Sequence, residues 1–271
     1  MKLCCAQIDC LLGQKEQNLA KIEQYAKEAT QTYPGLDLLV FPELATTGYE
    51  GNRESFFLWA ETADGPSAQK IAAIAKRYQV NIVYGFAEKD TVLKGVLYNS
   101  ALFLNREGKQ LGCYRKVHPF GIENDWCRAG CTYPIIETDF GKVGIFICWD
   151  TAFPEVARSY ALQGADLLIV PTNWEAPYSR DWDLVTTARA FDNVLPLIGC
   201  NRVGQDKTIS FFGHSKILNA TGQELAACNN HIESLVYAEV DLQESARLRH
   251  QYYTLLQDRR PDTYGLITKP Y

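Results

Sequence analysis

Two stretches of this chain nearly repeat one another: Asp37-Leu38-Leu39-Val40-Phe41-Pro42 returns as Asp166-Leu167-Leu168-Ile169-Val170-Pro171. Each is a short apolar run, the pattern of a strand covered on both faces. A fold built on such strands needs layers on either side of its sheets. A second echo, Leu104-Asn105-Arg106-Glu107-Gly108 and Leu218-Asn219-Ala220-Thr221-Gly222, falls at a Gly-bearing turn in each half. Strands are expected at about 2–9, 36–42, 80–87, 97–104, 142–148, 166–171, 195–201, 212–218 and 235–241. Helical periodicity falls between some of them. Leu19, Ile22, Tyr25, Ala26 and Ala29 share one helix face, and Ile71, Ile74, Ala75 and Tyr78 share another. Val156, Ala157, Tyr160 and Ala161 mark a third helix, with Pro154 at its first turn and Gly164 at its end. Each half reads strand, helix, strand, helix, then further strands. One α/β unit used twice, as two sheets packed face to face with helices outside, accounts for this order. No Pro/Gly/Ser-rich linker separates the halves, so the 271 residues are read as a single domain, 1–271, around one core.

Charge narrows the partners. Against 32 Asp+Glu stand 27 Lys+Arg, a formal net charge of -5, with no basic run. That disfavours nucleic acid and membrane surfaces. No stretch is long and apolar enough to read as a membrane span or leader, and Asp9 interrupts the N-terminal apolar run, so a cytoplasmic protein is expected. The nine cysteines, an odd number scattered along apolar runs, suit a reducing compartment better than a disulfide framework. Cys127 and Cys131 lie close together but lack a CxxC pair or a His pair at i, i+4, so neither a metal nor a cofactor is expected.

Candidate chemistry sits where apolar strands end. Gly144-Ile145-Phe146-Ile147-Cys148-Trp149-Asp150 brings a thiol to a strand's carboxyl end shortly before a helix, a setting that favours a reactive thiolate. Taken alone, Cys148 reads more readily as an inert buried cysteine than as a nucleophile. Leu38 to Glu43 ends a strand in a carboxylate that burial would tune as a general base, or that is simply solvated. Lys116, in Tyr114-Arg115-Lys116-Val117-His118, is either an oxyanion's counter-charge or a surface lysine. His118 is either a base for Cys148 or structural.

Taken together the segments resemble the nitrilase superfamily of carbon-nitrogen hydrolases, from Met1 to about Tyr264. The resemblance rests on Phe41-Pro42-Glu43, Arg115-Lys116-Val117-His118, Cys148-Trp149-Asp150-Thr151-Ala152-Phe153-Pro154-Glu155, Arg189-Ala190-Phe191-Asp192-Asn193 and Asn201-Arg202-Val203-Gly204, in family order. Gly213-His214-Ser215 and Arg259-Arg260-Pro261 fit too. It implies a four-layer αββα sandwich of two mixed sheets with an internal two-fold repeat. It also implies Glu43, Lys116 and Cys148 as catalytic triad, with Glu123 beside it. Two departures stand out: Asp192 where the family usually has Glu, and Trp126-Cys127-Arg128-Ala129-Gly130 in place of a segment ending Pro-Gly. Both are expected to lie away from the triad.

The implied reaction is hydrolysis of a small amide to a carboxylic acid and ammonia. Glu43 takes the proton of Cys148, the thiolate attacks, and Lys116 with the backbone N–H of Trp149 holds the oxyanion. Water, activated by Glu43, then releases the thioester. For the substrate pocket Tyr49, His118, Asn173, Trp174 and Glu175 are expected, although Trp174 and Tyr178 serve equally as loop packing. Glu175 suits a cationic substrate, and the Cys-Trp-Asp triplet resembles that of some N-carbamoylputrescine amidases. An N-carbamoyl amine hydrolase is therefore the second reading and a nitrilase the third. An idle binding protein of the same fold and a thiol redox sensor are the readings from other classes. The tail from about 246 to 271 carries Tyr252, Tyr253, Leu255, Leu256, Tyr264, Leu266 and Tyr271, more apolar surface than a free tail should expose. A homodimer or higher homo-oligomer that covers it is expected.

Overall fold

The structure, a computed structural model, describes residues 1–270. Its first half runs β1 (Lys2–Gln7), α1 (Lys15–Thr32), β2 (Leu38–Val40), α2 (Arg53–Trp59), α3 (Pro66–Tyr78), β3 (Asn81–Lys89), β4 (Leu97–Leu104) and β5 (Gln110–Arg115). Then follow β6 (Ile135–Thr138), β7 (Gly141–Ile145), α4 (Pro154–Leu162), β8 (Leu167–Thr172), α5 (Ser179–Asn193), β9 (Leu197–Asn201), β10 (Val203–Gln205), β11 (Ser210–Phe212), β12 (Lys216–Leu218), β13 (Glu224–Ala227), β14 (Ser234–Glu239) and α6 (Glu244–Gln251). One six-stranded sheet has the order β14-β1-β2-β3-β4-β5, and the other β13-β12-β9-β8-β7-β6. From β14 in the first and from β6 in the second, the pairings run antiparallel, parallel, parallel, antiparallel, antiparallel. Both sheets are mixed, and the echoed strands β2 and β8 lie third from those ends.

Side-chain alternation explains the layers. Leu3, Cys5, Leu38, Val40 and Val83 belong to the apolar cluster that also holds Val143, Ile145, Leu167 and Ile169, so these faces close on each other. The intervening Cys4, Ala6, Leu39, Ile82 and Tyr84 point the other way, onto Leu19, Ile22 and Ala26 of α1 and Ile71, Ile74 and Ala75 of α3. On the second sheet Tyr160 of α4 lies against Gly144 and donates its hydroxyl to the Ile145 carbonyl at 2.5 Å. The absent side chain at Gly144 is what admits that ring.

Three expected strands differ. The run at 142–148 stops at Ile145, and Cys148–Ala152 forms a turn of 3-10 helix. The run at 212–218 is two strands, because Gly213 (φ 75°) and His214 (φ 59°) turn the chain out of β11 and into β12. The run at 36–42 is regular only at 38–40. Strands β5, β6 and β13 show weak signals because they are short, partly exposed and at or beside sheet edges. In α5 the buried face is Trp182, Thr186, Arg189, Ala190 and Asn193, so polar residues hide its period. Among the described residues no helix is long and apolar enough to cross a membrane. Beyond α6, Tyr252, Leu266 and Ile267 are 80%, 78% and 60% exposed.

Candidate active site

Glu43 leaves the end of β2, and Lys116 follows β5 directly. Glu123 lies in a short 3-10 turn, Gly121–Asp125, and Cys148 opens the turn after β7. The ammonium of Lys116 lies between two carboxylates, at 2.7 Å from Glu43 Oε1 and 2.6 Å from Glu123 Oε1. Asn99 of β4 donates its amide to Glu43 Oε1 at 2.7 Å and to Glu123 Oε2 at 3.3 Å. The backbone N–H of Asn173 holds Glu43 Oε2 at 2.8 Å, and the Tyr49 hydroxyl donates to Glu123 Oε1 at 3.0 Å. Glu43, Lys116 and Glu123 are all buried. Every oxygen of both carboxylates has a donor, which is how two acids and one base tolerate removal from water.

The electrostatics follow from this crowding. Burial raises the Glu123 carboxyl to about 7, although Lys116 pulls it down. Burial also pulls the Lys116 ammonium down, but the Glu123 and Glu43 carboxylates outweigh it and hold the group well above the ordinary lysine value. The Cys148 thiol is pushed far up, first by burial and then by the Glu43 charge, against a smaller lowering by Lys116. A thiol so placed rests protonated, and a protonated thiol is a poor nucleophile unless a base takes its proton.

Backbone geometry aims the two ends of this set. Leu44 (φ 48°) and Cys148 (φ 49°) both lie in the left-handed region that non-glycine residues seldom occupy, and such residues collect at functional sites. Gly85 of β3 runs so close to the first turn that an added Cβ would lie 2.5 Å from Glu43 Cα. Its N–H bonds the Pro42 carbonyl and its carbonyl accepts from Ala45. The second turn is held by Asp150, a fully buried carboxylate. Asp150 accepts from Ile147 N at 3.0 Å, Tyr114 hydroxyl at 2.7 Å and His118 N at 2.9 Å. It thus grips the chain on both sides of Lys116 and just before Cys148.

A cavity of about 180 Å³ opens onto the thiol, lined by Tyr49, Phe120, Cys148, Trp149, Asn173, Trp174, Glu175, Tyr178 and Asp181. The expected pocket residues Tyr49, Asn173, Trp174 and Glu175 thus line one space. His118 does not. Its ring pairs with Asp150 at 2.8 Å and stacks on Phe153, and it is not part of the cavity lining. The segment 126–130 also departs from expectation. The Gly130 N–H donates to the Lys116 carbonyl at 2.7 Å and Trp126 stacks on Phe56, so this segment buttresses the lysine instead of lying away from it. Asn99, Phe120, Asp150 and Asp181 were missed as site residues. Asn99 left a signal, a polar pair with Ser100 inside the apolar run of β4.

A buried thiol at a tight turn, a fixed acid and an ammonium beside one cavity are the equipment of a hydrolase that acts through a cysteine. The carbon-nitrogen hydrolase family model matches residues 2–250, and the chain belongs to that family. A probable nitrilase of Schizosaccharomyces pombe is 47% identical over 270 residues, covering 99% of this chain and 98% of its own. The 2-oxoglutaramate amidase of Bacillus subtilis is 34% identical over 265 residues, covering 96% and 98%. Among solved structures, a carbon-nitrogen hydrolase from Helicobacter pylori superposes with a TM-score of 0.93 at 28% identity, over 100% of this chain and 99% of that one. The two-sheet architecture is that of the family.

Proposed function

We propose that the protein hydrolyses small primary amides to a carboxylic acid and ammonia through a thioester on Cys148. The observation that carries this is the buried thiol lining one cavity with Asn173, whose backbone N–H holds one oxygen of the Glu43 carboxylate while Lys116 and Asn99 hold the other. Glu43 takes the thiol proton, and sulfur bonds to the carbonyl carbon. Lys116 and the Trp149 N–H, at the start of the 3-10 turn Cys148–Ala152, receive the oxyanion. Glu43 then protonates the departing ammonia, and in the second half takes a proton from water, which breaks the C–S bond and restores the thiol. Glu123 keeps Lys116 oriented.

Size limits the substrate. The cavity beside the thiol, about 180 Å³, suits a small amide. The test is ammonia release from acetamide, propanamide, butanamide, N-carbamoyl amines and the matching nitriles. Release from the short amides is expected, and turnover of nitriles alone would overturn the reading. The relative that acts on 2-oxoglutaramate supports an amide. Glu175 in the lining favours an N-carbamoyl amine as the second reading.

The nine unpaired cysteines fit a reducing compartment, so the cytoplasm is the proposed location. The exposed Tyr252, Leu266 and Ile267 are proposed to be covered by a second copy of the chain. Light scattering is expected to give twice the 30.5 kDa chain mass, and a single chain mass would remove the dimer.

A further inference from the structure

We infer that the cavity selects amides carrying a protonated amine at their far end, and that Glu175 is the residue that recognises this charge. The inference rests on the amidase reading and names the substrate class within it. Asn173 is 3% exposed and lines the cavity, yet neither its side-chain oxygen nor its side-chain nitrogen has a partner among the described residues. A buried amide left unpaired on both atoms costs about 1–3 kcal/mol per group, so it marks a place where a ligand supplies both a donor and an acceptor. A primary amide or a ureido group does so. The Asn173 backbone is tied to Glu43, which places this subsite next to the reacting centre.

Two residues further along, Glu175 lines the same cavity and, among the described residues, forms neither a salt bridge nor a side-chain hydrogen bond. Partial burial and the Glu50 charge raise its carboxyl above the ordinary value, as expected of an acid lacking a cation. Asp181 is the other acid in the lining, but it also sits in the first turn of α5, where a carboxylate stabilises the helix N-terminus. Glu175 has no such local role. Among the described residues no lysine or arginine lines the cavity, and Lys116 beyond it is already held between two carboxylates. The aromatic rings of Trp149 and Trp174 in the lining are of a kind that favours an ammonium over a carboxylate. A dicarboxylic acid monoamide would therefore meet two acids and no counter-charge, whatever the B. subtilis relative accepts.

The test compares pentanamide, its ω-amino derivative and glutaric acid monoamide, which have similar length and different terminal charge. The ω-amino amide is expected to exceed pentanamide by about tenfold in kcat/KM, chiefly through KM, with the monoamide lowest. The quotient of ω-amino over neutral rates, read within each variant, should collapse in Glu175→Gln and persist in Glu175→Asp. A wild-type quotient near one, with pentanamide turned over, overturns the inference and leaves the amidase reading standing. A quotient that survives Glu175→Gln removes Glu175 from the role. A second measurement needs no turnover: alkylation of Cys148 by iodoacetamide, followed at its own peptide, with pentylammonium or pentanoate as protectant. Protection by pentylammonium alone is expected even if no amide is hydrolysed. Protection by pentanoate alone, or by neither, overturns the charge preference.

Discussion

Cys148→Ala is expected to remove ammonia release, by about 10⁶-fold if the loss matches that for other covalent nucleophiles, while the fold remains intact. The substitution deletes one sulfur, and alanine at φ 49° meets the same backbone strain that cysteine already bears. Thermal unfolding should therefore change little. Glu43→Gln makes the complementary point. The thiol is held protonated by burial, so loss of its base slows attack, but water needs the same base to open the thioester. An acyl adduct on Cys148 should accumulate and be visible by intact mass when the variant is incubated with a substrate amide. Glutamine keeps the shape and loses one charge. Its NH₂ group must then face either the Asn173 N–H or the Lys116 and Asn99 donors, so a modest loss of stability accompanies the change. Wild-type turnover in Cys148→Ala would end the covalent scheme. Turnover lost in Glu43→Gln with no adduct would place the need for Glu43 at or before formation of the thioester.

The parts of this site that were legible in the sequence are those tied to strand ends. Leu38–Val40 reads as a buried strand because every residue is apolar, and the acid that follows is therefore at that strand's carboxyl end. Cys148 was placed by the same logic, although the chain turns earlier than expected. Hydrophobic periodicity says nothing about the left-handed φ at Cys148 or about the Asp150 bonds that close the turn. The pairing of Asn99 with Glu43 spans 56 residues, and that of Tyr49 with Glu123 spans 74, and such contacts leave no local pattern. His118 was misplaced for the converse reason: its chain neighbour Lys116 is in the site, but the ring is claimed by Asp150. The family resemblance supplied the identities of the three central residues. The geometry adds why they are held, chiefly through Asn99, Asp150 and Gly85.

Lys116→Met tests the central ion cluster in both activity and stability. Methionine fills much of the space but leaves Glu43 and Glu123 buried without their shared cation. Removing one partner of a buried pair typically costs about 3–5 kcal/mol, because the charge left behind is uncompensated. At about 2–4 °C per kcal/mol for a chain of this size, the melting temperature should fall by roughly 10 °C. The loss should depend on pH in a definite sense. Glu123 is already raised to about 7, and Lys116 is a cause that lowers it, so the variant's Glu123 lies higher still. A carboxyl whose folded value is raised binds its proton more tightly folded than unfolded. Its contribution to stability is complete at low pH and disappears as pH rises through the folded value. The melting deficit against wild type should therefore be larger at about pH 8 than at about pH 6, where the unpaired acid can be neutral. Activity should not recover with stability. The oxyanion has lost its ammonium at every pH, which is worth about 10²-fold or more in the chemical step. An equal deficit at both pH values would mean that the carboxylates reach water or another cation once Lys116 is gone. An unchanged rate would mean that the Trp149 N–H and its neighbours carry the oxyanion alone.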